Sequence, residues 1–177
     1  KGVTIPTLNE LLEALPAVWL NIEAKEASVA APLVEVIRNH GSECRVLVAA
    51  EHEKNRRDAR GYKGPWGAST RDCVLFWIFH RLPGGGGFTP KVDVFQVPES
   101  WHGFRVLTPR LIAEAHRMNI PVHVWTVDDR DDMCRLLSWG VDAIQTDRPD
   151  ILSQVLVAKA GRPLPPALRR KSVKASL

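Results

Sequence analysis

The first strong pattern in the chain is an alternation of apolar and polar residues over positions 18–26. Its apolar members fall on one side of the backbone, namely Val18, Leu20, Ile22 and Ala24. Asn21, Glu23 and Lys25 fall on the other side, as the two-residue period of a strand requires. Helical patterns flank this segment, and a strand between helices is normally buried on both faces. The pattern therefore predicts a carboxylate and an ammonium on one buried face, as in the wall of an active site. The alternative is an amphipathic edge strand with a solvated polar face.

The remaining apolar spacing extends this pattern into a repeating order of elements. Capping residues and helical periodicity predict helices near 8–15, 30–39, 51–60, 69–79, 109–118, 129–139 and 149–160. Alternating or continuous apolar runs predict strands at 18–25, 45–50, 92–97, 121–127 and 141–145. The segments 61–68 and 84–87 are predicted to be loops, and the helix from position 69 is apolar on most sides, which predicts deep burial.

The order is one helix followed by five strand–helix units, which predicts an α/β fold with a parallel sheet and right-handed crossovers. An open doubly wound sheet and an incomplete (βα)8 barrel both fit this order. The absence of a Gly-x-Gly-x-x-Gly sequence after any strand disfavours a dinucleotide fold. Polar or aromatic residues follow the strands at Glu23, Lys25, Glu51, His52, Gln96, Trp125, Asp128, Thr146 and Asp147. In a barrel, all of these positions lie on the catalytic rim.

Composition narrows the class of protein further. The 177 residues are 45% hydrophobic and 25% charged, as in a soluble globular domain. We predict that residues 1–161 form this domain. The net charge of +4 comes from a basic tail at 162–177, which we expect to be disordered, and the rest has no nucleic-acid footprint. Three cysteines without metal spacing indicate reduced thiols, and no apolar run is long enough for a bilayer. These features predict a cytoplasmic protein and give no indication of membrane contact; the alternative for the basic tail is contact with acidic lipid.

The residue types at the strand ends suggest chemistry on a phosphorylated ligand. Glu23 offers a hard oxygen ligand for Mg²⁺ or Ca²⁺, Lys25 a positive charge for phosphate, and Trp125 a flat wall for a carbon skeleton. Each has a structural alternative, because Glu23 and Lys25 could form a salt bridge and Trp125 could fill the core. His52 is a candidate general base or a solvated loop residue, and His123 is expected to be a core histidine.

Four motifs in order resemble the glycerophosphodiester phosphodiesterase family. They are Ile5-Pro6-Thr7-Leu8-x-Glu10-x-Leu12, Leu20-Asn21-Ile22-Glu23-x-Lys25, residues 122–128 (Val-His-Val-Trp-Thr-Val-Asp) and residues 140–150. The resemblance implies a TIM barrel, of which this chain supplies strands four to eight. It implies hydrolysis of glycerophosphodiesters to glycerol 3-phosphate and an alcohol with a divalent cation, within lipid and glycerol metabolism. It also implies that Glu23 binds the metal, Lys25 contacts phosphate and Trp125 lines the glycerol pocket.

The chain also departs from the family pattern. The family's first three strands carry His-Arg, Glu-x-Asp and His-Asp, and they would precede position 1, so no residue here takes the roles of those histidines. Ala50-Glu51-His52 stands where the family commonly has Ser-Phe, and Asp128 where it more often has Asn. We therefore expect a piece of a longer domain, with two open sheet edges and a weakened metal site. The alternatives are a non-catalytic phosphate- or lipid-binding module and a phospholipase lyase of the sphingomyelinase D type.

Overall fold

A computed structural model describes residues 2, 4–59, 61–81 and 88–163 of the chain. The chain divides into two compact units, Lys1–Phe95 and Gln96–Leu177. The helices are α1 (Leu8–Ala14), α2 (Ala27–Asn39), α3 (Glu53–Arg56), α4 (Thr70–Phe79), α5 (Pro109–Arg117), α6 (Arg130–Trp139) and α7 (Pro149–Ala160). The strands are β1 (Leu20–Glu23), β2 (Val46–Ala49), β3 (Phe95–Pro98), β4 (Ser100–Trp101), β5 (Phe104–Arg105), β6 (Val122–Trp125) and β7 (Ala143–Ile144).

Helix boundaries follow the capping signals in the sequence closely. The side chains of Thr7, Ser69 and Thr108 each accept a hydrogen bond from a backbone N–H of the first turn of α1, α4 and α5. Gly140 and Gly161 end α6 and α7 in the left-handed conformation, with φ angles of 95° and 61°. A side chain is strained in that conformation, which is why glycine occurs at both helix ends.

In the first unit, β1 and β2 form a parallel pair in which Leu20 lies opposite Val46 and Glu23 opposite Ala49. Buried side chains from α1, α2, β2 and the following loop form the core of this unit. Its largest members are Leu12, Leu33, Ile37, Val46, Val48 and Tyr62. The Tyr62 hydroxyl donates a 2.5 Å hydrogen bond to the Val46 carbonyl, which satisfies its polar group inside that core.

The segment 65–68 contributes to the sheet, so the prediction that 61–68 is only a loop was wrong. Val48 pairs with Trp66, and Gly67 pairs with Val94, both in the parallel sense. Four backbone hydrogen bonds of 2.9–3.1 Å, two to Val48 and two to residues 93–94, hold the segment between its neighbours. Proline and glycine dominate this sequence locally, but the exposed hydrogen-bonding edges on both sides impose an extended backbone. Among the described residues of the first unit, this segment is therefore an additional extended position that the sequence analysis did not predict.

Helix α4 is less buried than its composition predicted. Phe76 is its one fully buried residue, and its ring stacks on Phe95 with centroids 4.5 Å apart. Val74 and Ile78 are 39% and 44% exposed. Residues four apart lie on the same face of a helix, so these two side chains form an apolar face that the first unit leaves uncovered. The expectation of burial on most sides failed because α4 packs through only one face.

The second unit contains the sheet β3–β6–β7, in which β6 and β7 are parallel and His123 lies opposite Ala143. The division between the units falls inside β3, after Phe95. The core of the second unit is apolar and comes from α5, β6, α6, α7 and the segments between them. Its most buried members include Leu107, Leu111, Ile112, Val122, Val124, Met133, Leu136 and Val155.

A short hairpin that the sequence analysis missed follows β3. Strands β4 and β5 pair antiparallel across a two-residue turn in which His102 and Gly103 have φ angles of 47° and 81°. The Arg135 guanidinium of α6 anchors the base of this hairpin through two 2.9 Å hydrogen bonds to both carboxylate oxygens of Glu99.

The described residues thus form an α/β fold with parallel strand pairs, as the sequence predicted. The loop predicted at 84–87 lies outside the described residues. The disorder expected of the tail at 162–177 also lies outside them, apart from residues 162 and 163, where the description ends.

Candidate active site

Glu23 and Lys25 meet at the carboxyl end of β1, as the alternating pattern predicted. The Lys25 ammonium donates a 2.6 Å hydrogen bond to Oε2 of Glu23. The expectation that this pair is buried was wrong, because the Lys25 side chain is 75% exposed and that of Glu23 35% exposed. The polar face of β1 is open within the first unit, since Asn21 and Glu23 are both exposed while Leu20 and Ile22 are partly covered. Exposed side chains of this kind are accessible to a ligand.

Neighbouring carboxylates stabilise the positively charged form of the Lys25 side chain. The hydrogen bond and the negative charge of Glu23 raise the pKa of the Lys25 ammonium above its usual value, and Glu51 adds a weaker attraction. Lys25 is therefore protonated at neutral pH. The arrangement presents an ammonium and a carboxylate side by side, which can engage an anion and a cation respectively.

The backbone that carries this pair is anchored by a residue that the sequence analysis missed. Asn55 in α3 is buried, and its side-chain amide donates a 2.8 Å hydrogen bond to the Lys25 carbonyl. The Ala24 N–H donates a 2.8 Å hydrogen bond to the Ala49 carbonyl at the end of β2. These bonds fix the direction in which Glu23 and Lys25 project. A lone asparagine in a polar segment gave no signal, because its burial depends on tertiary packing.

Glu51 and His52, which follow β2, remain solvated. Their side chains are 63% and 55% exposed, and His52 Nε2 lies 4.0 Å from Glu51 Oε1. His52 occupies the N-cap position of α3 without a side-chain capping bond. The described contacts thus agree with the reading of His52 as a solvated loop residue rather than as a general base.

In the second unit, Asp128 joins the loops that follow β6 and β7. One oxygen of Asp128 accepts hydrogen bonds from the Thr146 hydroxyl at 2.7 Å and from the Asp147 N–H at 2.8 Å. These bonds lower the pKa of Asp128 below its usual value, so the carboxylate is charged at neutral pH. The Thr146 hydroxyl in turn accepts from the Arg148 N–H at 2.9 Å. The expected gathering of polar residues at strand ends is therefore realised for these two strands.

Trp125 lies at the end of β6 and is 42% exposed. It is not core filling within its unit, because Val122 and Val124 occupy the buried side of the same strand. His123 shares the face of Trp125 and is partly buried, and burial lowers the pKa of its imidazole while the charge of Asp142 opposes that shift. The imidazole is consequently neutral at pH 7.

The described part of the chain offers individual metal ligands rather than an assembled metal site. Among the described residues, no group of three or more His, Cys, Asp or Glu side chains is arranged to hold a metal ion. The Glu23 carboxylate has the hard oxygens that Mg²⁺ and Ca²⁺ require, and it can serve as one ligand of such a site. The three cysteines are free thiols, and burial raises the pKa of the Cys73 thiol to about 12. That value leaves Cys73 uncharged and unsuited to act as a nucleophile at neutral pH.

Among the helices that the structure describes, none combines the length and the apolar character needed to cross a lipid bilayer.

Comparison with known sequences shows which family the chain is similar to. The model of the "Glycerophosphoryl diester phosphodiesterase family" matches residues 87–151. "Probable glycerophosphodiester phosphodiesterase 2" of Mycobacterium tuberculosis (strain ATCC 25618 / H37Rv) is 37% identical over 164 residues, which cover 89% of this chain and 62% of that protein. A glycerophosphodiester phosphodiesterase of Caldanaerobacter subterraneus subsp. tengcongensis is 28% identical over 169 residues, 90% of this chain and 65% of that protein. The chain is thus similar to the glycerophosphoryl diester phosphodiesterase family, and it spans a little under two thirds of these relatives.

Solved structures support the same fold. A glycerophosphodiester phosphodiesterase from Parabacteroides distasonis ATCC 8503 matches with a TM-score of 0.66 and 19% identity, covering 88% of this chain and 65% of that one. An Oleispira antarctica phosphodiesterase in complex with the product sn-glycerol-3-phosphate matches with a TM-score of 0.64 and 18% identity, covering 85% and 61%. At these identities the likeness shows a shared α/β fold.

Proposed function

We propose that this chain is part of a metal-dependent phosphoric diester hydrolase that converts glycerophosphodiesters to glycerol 3-phosphate and an alcohol. The observation that carries the proposal is the contact between Glu23 and Lys25 at the end of β1. It gives the chain an exposed carboxylate and an exposed ammonium at the carboxyl end of a strand, where parallel α/β enzymes place their catalytic groups.

Each of the two residues would contact a different charged group of the substrate complex. The Lys25 ammonium, protonated at neutral pH, would neutralise a phosphoryl oxygen and hold the phosphodiester in place. The Glu23 carboxylate would be one ligand of a divalent cation, Mg²⁺ or Ca²⁺. Such a cation supplies Lewis acidity that stabilises the negative charge developing on the phosphoryl group. The negative charge of Glu23 would also keep the Lys25 ammonium in place before substrate arrives.

The proposal extends to the rest of the substrate and to the parent fold. The exposed indole of Trp125 would line the pocket for the glycerol moiety, since a flat apolar ring suits the carbon face of a polyol.

The described strands would correspond to the second half of a TIM barrel, roughly its strands four to eight. The reaction would belong to glycerophospholipid breakdown in the cytoplasm. The matched Oleispira antarctica phosphodiesterase, whose structure is in complex with the product sn-glycerol-3-phosphate, supports this choice of substrate class.

The reaction can be tested by following the products with ³¹P NMR. Incubation of the full-length parent protein with glycerophosphocholine and Mg²⁺ or Ca²⁺ is expected to release glycerol 3-phosphate and choline. Chelation of the cation is expected to stop the reaction, and its return to restore it. A cyclic phosphate as the final product would instead favour a lyase of the sphingomyelinase D type. Binding of the substrate without turnover would favour a non-catalytic phosphate-binding module, and either result would contradict the proposal.

A further inference from the structure

Gln96 carries a buried amide group without a protein partner. It lies on β3, where Phe95 and Val97 are 1% and 3% exposed and face the apolar side of the strand. Gln96 falls on the opposite side, and among the described residues its Nε2 atom is buried without a hydrogen-bond partner. An unpaired buried donor costs stability, and native proteins pair nearly all such groups with protein, water or ligand. A bound ligand is therefore a candidate acceptor for the hydrogen bond that Gln96 Nε2 can donate.

His123 offers complementary hydrogen-bonding capacity on the neighbouring strand β6. Val122 and Val124 are fully buried, which leaves His123 and Trp125 on the other side of that strand. Within the described part of the chain, neither ring nitrogen of His123 has a hydrogen-bond partner, and Asp142 is the charged group that acts on it. A neutral imidazole has one donor and one acceptor nitrogen. The residue opposite it on β7 is Ala143, which has a small side chain without polar groups.

These side chains share one face of the sheet. Strands β3 and β6 are neighbours, and the buried apolar residues of both define the face that packs into the core. Gln96, His123 and Trp125 therefore lie on the opposite face, with His123 and Trp125 about 7 Å apart along β6. The face combines an amide, a neutral imidazole and a half-exposed indole, and none of the three carries a charge at neutral pH. This chemistry suits a polyol, whose hydroxyl groups need donors and acceptors while its carbon face packs on an aromatic ring.

We propose that Gln96 and His123 recognise the hydroxyl groups of the glycerol moiety beside Trp125 and so make the protein selective for polyol phosphates over simple alkyl phosphates. This inference rests on the proposed function, in which glycerol esters are the substrates. Recognition of a hydroxyl group would explain why Gln96 is present although its unpaired amide lowers the stability of the fold. A buried donor that is paired only when the ligand is bound contributes to specificity, because a ligand that lacks the hydroxyl leaves the donor unpaired.

The test compares two ligands of equal charge and carbon number, glycerol 3-phosphate and n-propyl phosphate, by isothermal titration calorimetry. The wild-type protein is expected to prefer glycerol 3-phosphate. Gln96→Leu and His123→Phe are each expected to reduce that preference by roughly tenfold or more, because each removes hydrogen bonds to the hydroxyl groups only. Gln154→Leu, on the exposed side of α7, is the matched control and is expected to retain the full preference.

A stability measurement separates recognition from a structural role. Gln96→Leu replaces an unpaired buried amide by an apolar group, so we expect urea unfolding to show a variant at least as stable as wild type. Equal wild-type affinity for the two phosphates, no binding of either, or an unchanged preference in both variants would overturn the inference. A protein that prefers glycerol 3-phosphate but hydrolyses no diester would overturn the proposed function and leave this inference standing.

Discussion

Replacing Glu23 by glutamine in the full-length parent protein is expected to lower the turnover of glycerophosphodiesters by roughly a hundredfold or more, in line with the loss of a group that stabilises transition-state charge. Glutamine preserves the size of the side chain but removes the negative charge, and affinity for a hard cation depends on the charge of its ligands. The substitution also leaves the Lys25 ammonium without the partner that it contacts at 2.6 Å. The rate is measured as release of glycerol 3-phosphate at saturating substrate and cation.

The fold should survive this substitution, which makes the result interpretable. Exposed ion pairs contribute little to stability, and both members of this pair are accessible to solvent. Glu35→Gln on the exposed side of α2 is the matched control, because it removes the same charge from the same unit. Near-normal turnover of Glu23→Gln, or an equal loss in Glu35→Gln, would contradict the role assigned to Glu23.

The second large effect concerns stability, where Phe76→Ala is expected to reduce the free energy of unfolding by about 3–5 kcal/mol. Phe76 is 2% exposed and stacks between two rings, with centroids 4.5 Å from Phe95 and 5.7 Å from His80. Truncation would remove both contacts and leave a cavity at the buried face of α4. Urea unfolding followed by far-UV circular dichroism measures the difference.

The control for this substitution is Phe104→Ala in the hairpin strand β5. Phe104 is 68% exposed, so its truncation is expected to change the unfolding free energy by no more than about 0.5 kcal/mol. A loss below about 1 kcal/mol for Phe76→Ala would show that α4 does not pack through this ring. That outcome would contradict the description of the first unit.

Local signals in the sequence were sufficient for the helices. Thr7, Ser69 and Thr108 cap helices as predicted, and Gly140 and Gly161 end them, because capping depends on residues within one turn. The alternation in β1 correctly predicted that Glu23 and Lys25 lie together.

Features that depend on neighbouring strands were missed. The extended backbone at 65–68 results from hydrogen bonds to Val48 and to residues 93–94, which the local proline and glycine content does not reveal. The hairpin has strands of only two residues, too short for a periodicity signal. Its turn residues, His102 and Gly103 between two aromatic residues, were the one available indication.

The sequence predicted part of the site, and there is a physical reason why it did not predict the rest. Sequence alternation identifies which side chains share a face, but it does not report how much of that face is covered. Glu23 and Lys25 were therefore correctly paired and wrongly expected to be buried. Gln96 and His123 were recognised only as a strand-end residue and a core histidine. Their significance depends on missing partners, which only the three-dimensional contacts reveal.

In the proposed function, Glu23 binds a divalent cation and Lys25 binds the phosphate of the same ligand. The most direct test of these two roles is the affinity for glycerol 3-phosphate, measured by calorimetry with and without Mg²⁺ or Ca²⁺. We expect that the cation strengthens binding in wild type, that Glu23→Gln abolishes this gain, and that Lys25→Met weakens binding in both conditions. Cation-independent affinity in wild type, or binding that neither substitution alters, would contradict these roles.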